Sequence, residues 1–332
     1  MTYRQAIGTG GIGTGLIFHL EGSHTLGREE SRSGRLSDAR DYCKGHIVMH
    51  YLARLSGCAC TLIGMVGDDS RGRELLADMS GSSLDISHIC VTDKAPTLLS
   101  ICFEYPDHSG GNLTASNSAS ALVDEKYVSD CVNDIRIDKQ TIILAMPEVP
   151  IAARMALMRI GKERNALVAG SFLSNEIGEM IQLDALRYLD ILAVNRDEAR
   201  LISGAAADTP AGIAAACCAA ARKINPDLRL VVTVGSSGAF LFEGSEILHV
   251  PIIKVPVQST GGAGDAFIAG ILCGMARGVP FFQAAVLGNI VSSLAVMSRD
   301  SIAREAHPAG VMNFMNKYGY GEELAGILQA AD

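Results

Sequence analysis

The feature that most narrows the fold is a rhythm that sets in near residue 140. Short runs that are apolar throughout, "TIILAM" (Thr141 to Met146), "NALVAG" (Asn165 to Gly170), "DILAVN" (Asp190 to Asn195) and "LRLVVTVG" (Leu228 to Gly235), alternate with segments of helical spacing. Side chains along a strand point alternately to its two faces, so a strand that is apolar at every position is buried on both. Such strands, each followed by a helix, predict a parallel sheet covered by helices on either side. The composition supplies the cores this requires: 48% of the residues are apolar, Trp is absent and aromatics are few, so Ala, Leu, Ile and Val do the packing.

The rhythm changes towards the C-terminus. "GAFLFEG" and "EILHVPIIKV" predict a hairpin, and two long helices follow, one opening in "STGGAGDAFIAG" and one after Pro280, a residue suited to a first helical turn. The N-terminal third is less regular. A helix is expected over Tyr42 to Ser56, then the strand "CACTLIGMV", and "LLSICFEY" and "NLTAS" joined by "PDHSGG" predict a second hairpin. No internal repeat or low-complexity linker divides the chain, so residues 1–332 are expected to form one α/β domain with a smaller β excursion.

Charge and cysteine usage exclude several partners. The net charge is −8 and the basic residues are scattered, so no basic face is available for a nucleic-acid backbone. No run of ~20 apolar residues predicts a membrane span, and the first residues lack the pattern of a secretory signal. The nine cysteines are odd in number and lack CxxC spacing, which suits reduced thiols in the cytoplasm. An anionic ligand would have to be held locally, by backbone N–H groups, helix ends or a metal.

Two glycine-rich stretches compete for that role. Gly8 to Gly13 fits G-x-G-x-x-G, yet a dinucleotide fold needs that loop to open a helix, and "LIFHLEG" reads as a strand. A nicotinamide dehydrogenase is therefore the weaker reading, and a turn that lets backbones approach closely is the better one. The stretch from Ser259 to Leu272 does open a helix, which places the N–H groups of Gly262, Ala263 and Gly264 at its N-terminus without intrahelical partners. Asp265 in the first turn either caps the helix or accepts a proton from a hydroxyl attacking a bound phosphate. The Walker sequence and the protein-kinase motifs are absent.

Taken together, "STGGAGDAFIAGIL", "MVGDDSRGRELL", the Asn195 and Glu198 pair in "DILAVNRDEARLISG", and "VVTVGSSGAFLFEG" resemble the motifs of the ribokinase-like (PfkB) carbohydrate kinase family, over roughly residues 45 to 300. The resemblance implies a three-layer α/β fold with a mostly parallel central sheet and a small β-lid, its elements within about 14–40 and 95–116. It implies transfer of the ATP γ-phosphoryl group to a hydroxyl of a sugar or sugar-like small molecule. Asp265 would be the base, with Gly262, Ala263 and Gly264 around the transferring group. Asn195, Glu198, Thr233, Gly235, Gly238 and Asn289 would bind ATP, and Glu198 would hold Mg²⁺, through water. A nucleoside kinase of the same fold, or a non-catalytic ligand-binding protein that keeps it, is the alternative, and a homodimer through the β-lid is a further expectation.

The sequence departs from the family pattern on the acceptor side. The usual Asp after the first strand is missing from "GTGGIGTGLIF", and of the usual G-G-x-x-x-N only Gly45 stands, with His46 near the Asn position. Gly13, Gly45 and His46 are the acceptor-side candidates. His46 and His50 lie one helical turn apart, a metal-like spacing with no third ligand evident. Arg28, Glu29, Glu30, Arg32 and Arg35 form either a solvated loop or a segment facing a polar substrate. Ser259 replaces the signature's leading Asp, beside which some members hold a monovalent cation, so K⁺ dependence is left open.

Overall fold

A computed structural model describes residues 2–22, 31–107, 110–204 and 207–320. Arg28, Glu29 and Glu30 lie outside the described residues. In the N-terminal half the strands are β1 (Gln5–Thr9), β2 (Gly13–Leu20), β3 (Gly34–Leu36), β4 (Asp41–Tyr42), β5 (Ala59–Gly67), β6 (Leu84–Asp85), β7 (Ile89–Thr92), β8 (Leu98–Glu104) and β9 (Gly110–Thr114). The C-terminal half adds β10 (Thr141–Ala145), β11 (Leu167–Gly170), β12 (Ile191–Asn195), β13 (Arg229–Thr233), β14 (Ala239–Glu243) and β15 (Glu246–Val250). The helices are α1 (Lys44–Leu55), α2 (Ser70–Ser80), α3 (Glu125–Val132), α4 (Ile151–Glu163), α5 (Ile177–Gln182), α6 (Arg196–Ser203), α7 (Pro210–Arg222), α8 (Ala263–Ala276), α9 (Phe281–Val296) and α10 (Pro308–Tyr318).

The main sheet runs β15-β14-β13-β12-β11-β10-β1-β5-β6, with β7 also on β5; it is parallel except for the β14–β15 hairpin at one edge. The uniformly apolar strands feed two cores. Ala6, Ile142 and Leu144 face one side with α1, α8 and α9; Ile7, Ile143 and Ala145 face the other with α4, α6 and α7. Each such Ile or Leu contributes on the order of 1.5–3 kcal/mol by leaving water, which is why both faces must be covered.

A second sheet, β3-β2-β8-β9 with β4 on β2, stands beside the first. Its anchor is local chemistry. The Asp69 carboxylate accepts from Gly72 N–H and so caps α2, and it also accepts from the N–H and hydroxyl of Thr97, the residue that leads into β8. The turn "GDD" thus fixes where the second sheet leaves the body.

One boundary differs from the sequence expectation. The helical pattern extends back to Tyr42, but Asp41 and Tyr42 pair with Gly15 and Thr14 as a strand, and α1 begins at Lys44. The cross-strand pairing outcompetes one more half-turn of helix because the α1 N-cap, Cys43, makes no side-chain capping bond.

Candidate active site

Strand order reverses around β1: the chain proceeds to β5 on one side of it and to β10 on the other. In open parallel sheets the crevice at such a switch point, beyond the carboxyl ends of the strands, is where ligands bind. The residues just past β1, β10, β12 and β13 meet there.

On one side of the crevice lies the N-terminus of α8. Gly262, its N-cap, has φ of 75° in the left-handed region, and a Cβ there would sit 2.7 Å from the Ser301 carbonyl oxygen. Only glycine fits. The N–H of Ala263 makes a long 3.4 Å bond to Thr260, and those of Gly264 and Asp265 have no protein acceptor among the described residues. Free donors at the end of a 14-residue helix attract an anion. Thr233, at the end of β13, places its hydroxyl 3.5 Å from where a Gly264 Cβ would lie. Asn195, opposite Thr233 in the β12–β13 register, forms a reciprocal capping box with Glu198: its Oδ1 accepts from Asp197 and Glu198 N–H, while Glu198 Oε2 accepts from Asn195 N–H. The local cap and a ligand role are compatible, because Oε1 of the buried Glu198 has no hydrogen-bond partner among the described residues. Burial raises the Glu198 pKa, against the Asn195 N–H and Lys44.

Asp265 is 8% exposed, and Lys44 Nζ lies 3.4 Å from its Oδ2. Asp265, above all, holds Lys44 charged against its own burial, with Glu198 and Glu148 adding to the effect. Glu148, just past β10, accepts from the N–H of Lys44 at 3.1 Å and so serves the uncapped end of α1. Its backbone φ is 73°, a conformation that costs a non-glycine residue about 1–3 kcal/mol and persists where the surroundings impose it. Burial pushes its carboxyl up to about 7, Lys44 opposing.

Lys44, Glu148 and Asp41 were missed from sequence. A signal existed for two of them: Lys44 immediately precedes Gly45 at a helix start, and Glu148 follows the carboxyl end of an apolar parallel strand.

The sequence candidates divide. Asp265, Gly262, Ala263, Gly264, Thr233, Asn195 and Glu198 converge. Gly235 and Gly238 shape the turn between β13 and β14, both at positive φ, and the Asn289 amide donates to the Pro251 carbonyl at 2.8 Å. Beside them opens a cavity of about 460 Å³ lined by Ser236, Phe240, His249, Pro251, Ile252 and Lys254. The Cβ position of Gly45 lies 2.9 Å from the Gly10 Cα, so the glycine-rich loop lets α1 dock directly on the end of β1. That loop then enters β2, not a helix, which removes the dinucleotide reading. Gly13 is buried against Leu98 and presents no side chain to the crevice.

His46 does not reach the crevice surface. It is fully buried, its ring packs on Tyr42 and lies 6.0 Å from that of His50, and none of the four ring nitrogens has a hydrogen-bond partner among the described residues. Burial first, and the neighbouring His50 second, lowers its pKa to about 3. Among the described residues no cluster of three or more His, Cys, Asp or Glu could hold a metal.

Comparison with known proteins identifies the family and the fold. The model of the pfkB family carbohydrate kinases matches residues 44–307, and the chain belongs to that family. It is 25% identical over 256 residues to a ribokinase of Schizosaccharomyces pombe, covering 75% of this chain and 78% of the relative. A ribokinase of Dictyostelium discoideum is 24% identical over 229 residues, covering 65% and 71%. In fold it is similar to the Cryptococcus neoformans ribokinase solved with ADP, with TM-score 0.77 at 18% identity over 93% of this chain and 99% of that one. The protein is thus a phosphotransferase with an alcohol acceptor, using ATP to phosphorylate a sugar or sugar-like molecule; the alternatives are not favoured by these matches.

Proposed function

We propose that Asp265 takes the proton of the acceptor hydroxyl while the N–H groups of Gly262, Ala263 and Gly264 hold the transferring γ-phosphoryl group of ATP. The observation that carries this reading is a buried carboxylate one residue from unpartnered helix-terminal N–H groups, with Lys44 at 3.4 Å. In-line transfer makes little covalent demand on the protein; it needs the nucleophile aligned and the developing charge matched. Lys44, released from Asp265 as phosphate enters, would follow that charge. Thr233, Asn195, Gly235 and Gly238 would line the path of the triphosphate, and the cavity beside Asn289 would take the base.

Mg²⁺ suits the free oxygen of Glu198, since this ion needs one or two carboxylates and keeps several waters. Bound there it would neutralise phosphate charge. Ser259 gives a monovalent cation no carboxylate at the head of the signature, so activity without added K⁺ is expected.

The second sheet would act as the lid that excludes water from the transfer. On its outer face Leu16, Ile101 and Leu113 form one row across β2, β8 and β9 and stand 40%, 36% and 64% exposed. A second copy of the chain is the occupant this row suits; Ile101→Glu should then shift the sedimentation coefficient to that of a monomer, and an unchanged coefficient would refute it. No helix among the described residues is long and apolar enough to cross a membrane. The nine thiols, all free, fit a reducing cytoplasmic setting.

The deciding experiment measures ADP formed from ATP against sugars, phosphosugars and nucleosides. Turnover with at least one acceptor, abolished in Asp265→Asn with ATP binding retained, is expected. Full turnover by that variant would remove Asp265 from its role.

A further inference from the structure

Asp41 is a partly buried carboxylate with no cationic partner among the described residues. It stands in β4 beside Gly15 and accepts from the Cys102 thiol, 3.4 Å from Oδ2, while the Ser301 hydroxyl beside it accepts from the Tyr42 N–H at 2.9 Å. Among the described residues no Lys, Arg or His pairs with it. Burying a carboxylate on weak donors alone is costly, and burial raises its pKa accordingly, with Asp265 adding to the rise.

Its position is as informative as its solvation. A Cβ on Gly15 would collide with the Asp41 carboxylate, and one on Gly11 would collide with Glu148. The two carboxylates therefore lie against opposite ends of one glycine run, over volume that any larger residue would fill. Ser301, which neighbours Asp41 and accepts from Tyr42 N–H, also approaches Gly262 at the other end of the crevice. Along the same wall of the second sheet, Ile17, His19 and Glu104 border a cavity of about 310 Å³ that reaches Ser259.

Building on the kinase reading above, we propose that Asp41 accepts a hydrogen bond from a hydroxyl of the phosphoryl acceptor, opposite Glu148, and so selects a neutral polyhydroxylated acceptor over a phosphorylated one. Gly13 supplies no side chain for this purpose; Asp41 reaches the same strand from β4. An acceptor carrying a phosphate at the Asp41 end would add negative charge beside Asp41, Glu148, Glu198 and Asp265, where Lys44 is already engaged by Asp265; of the two arginines on the neighbouring cavity, Arg35 and Arg299, the second is paired with Asp38. A neutral polyol brings the donors these oxygens lack.

The test compares wild type, Asp41→Asn and Gly15→Ala, each confirmed folded by its thermal melt, for ADP release with D-ribose, D-fructose, adenosine and their monophosphates. Asp41→Asn keeps the shape and removes the charge; Gly15→Ala keeps Asp41 and displaces it. Turnover with an unphosphorylated compound is expected, with its KM raised roughly 10- to 100-fold in both variants, as for loss of a bond to a charged group, and KM for ATP changed by less than about twofold. An unaltered acceptor KM in Asp41→Asn, or wild-type turnover with the monophosphates alone, overturns the proposal and leaves the kinase reading intact. Absence of ATP consumption with every compound would overturn both.

Discussion

The two walls of the crevice are built in opposite ways. The proposed phosphoryl wall comes from contiguous chain: backbone N–H groups and small residues of one stretch, Gly262 to Asp265, backed by a capping box whose two members lie three residues apart. The proposed acceptor wall joins two side chains of one short stretch, Asp41 and Lys44, to Glu148, 104 positions beyond Lys44, all laid against the glycine run that ends β1 and begins β2. A phosphate presents the same oxygens whatever the acceptor, so a local backbone motif suffices to hold it. An acceptor's hydroxyls are particular, and particular positions need side chains delivered by the fold.

That contrast can be broken most sharply at Asp265. Asp265→Asn should lower kcat by about 10² to 10⁴ with KM for ATP little changed; a fall in ATP affinity with kcat preserved would make Asp265 a structural cap, and the wall merely a helix end. At the junction of the walls, Lys44→Met should lower kcat by roughly 10²-fold, as for removal of one group that stabilises transition-state charge. An effect confined to the acceptor KM would move Lys44 wholly to the acceptor wall.

The smallest effect is expected behind the acceptor wall, at the two buried histidines. Their folded pKa values, about 3 for His46 and about 4 for His50, lie below the ordinary 6.5. The unfolded chain therefore binds more protons once the pH falls below 6.5, and stability is lost from there down towards the folded values. Each histidine contributes up to about 1.4 kcal/mol per pH unit in that window. His46→Leu should flatten the fall in urea midpoint between neutral and mildly acidic pH relative to wild type. Parallel pH profiles for the two proteins would show that His46 is not held neutral by burial.

How much was legible follows the same division. The uniformly apolar runs foretold a parallel sheet with helices on both faces, because burial on both sides leaves no position for a polar residue. The stretch ending in Asp265 foretold a helix opening on glycines with the carboxylate in its first turn, because that chemistry is backbone and first turn. The pattern around α1 misled in two ways. Tyr42 reads as helix by spacing yet pairs with Thr14, and His46 reads as a polar residue near an acceptor yet packs under Tyr42. Both outcomes depend on where the second sheet docks, which no local spacing encodes.

By itself, then, the sequence determined the layered α/β architecture and the glycine-rich opening of the helix that carries Asp265, since periodicity and contiguous motifs act over a few residues. Only the tertiary structure decided which carboxylates gather around Lys44 and the glycine run. Lys44 meets Asp265 across 221 positions of chain, and Asp41 meets Gly15 across a strand pairing, contacts fixed by the packing of α1 and the second sheet on the main sheet.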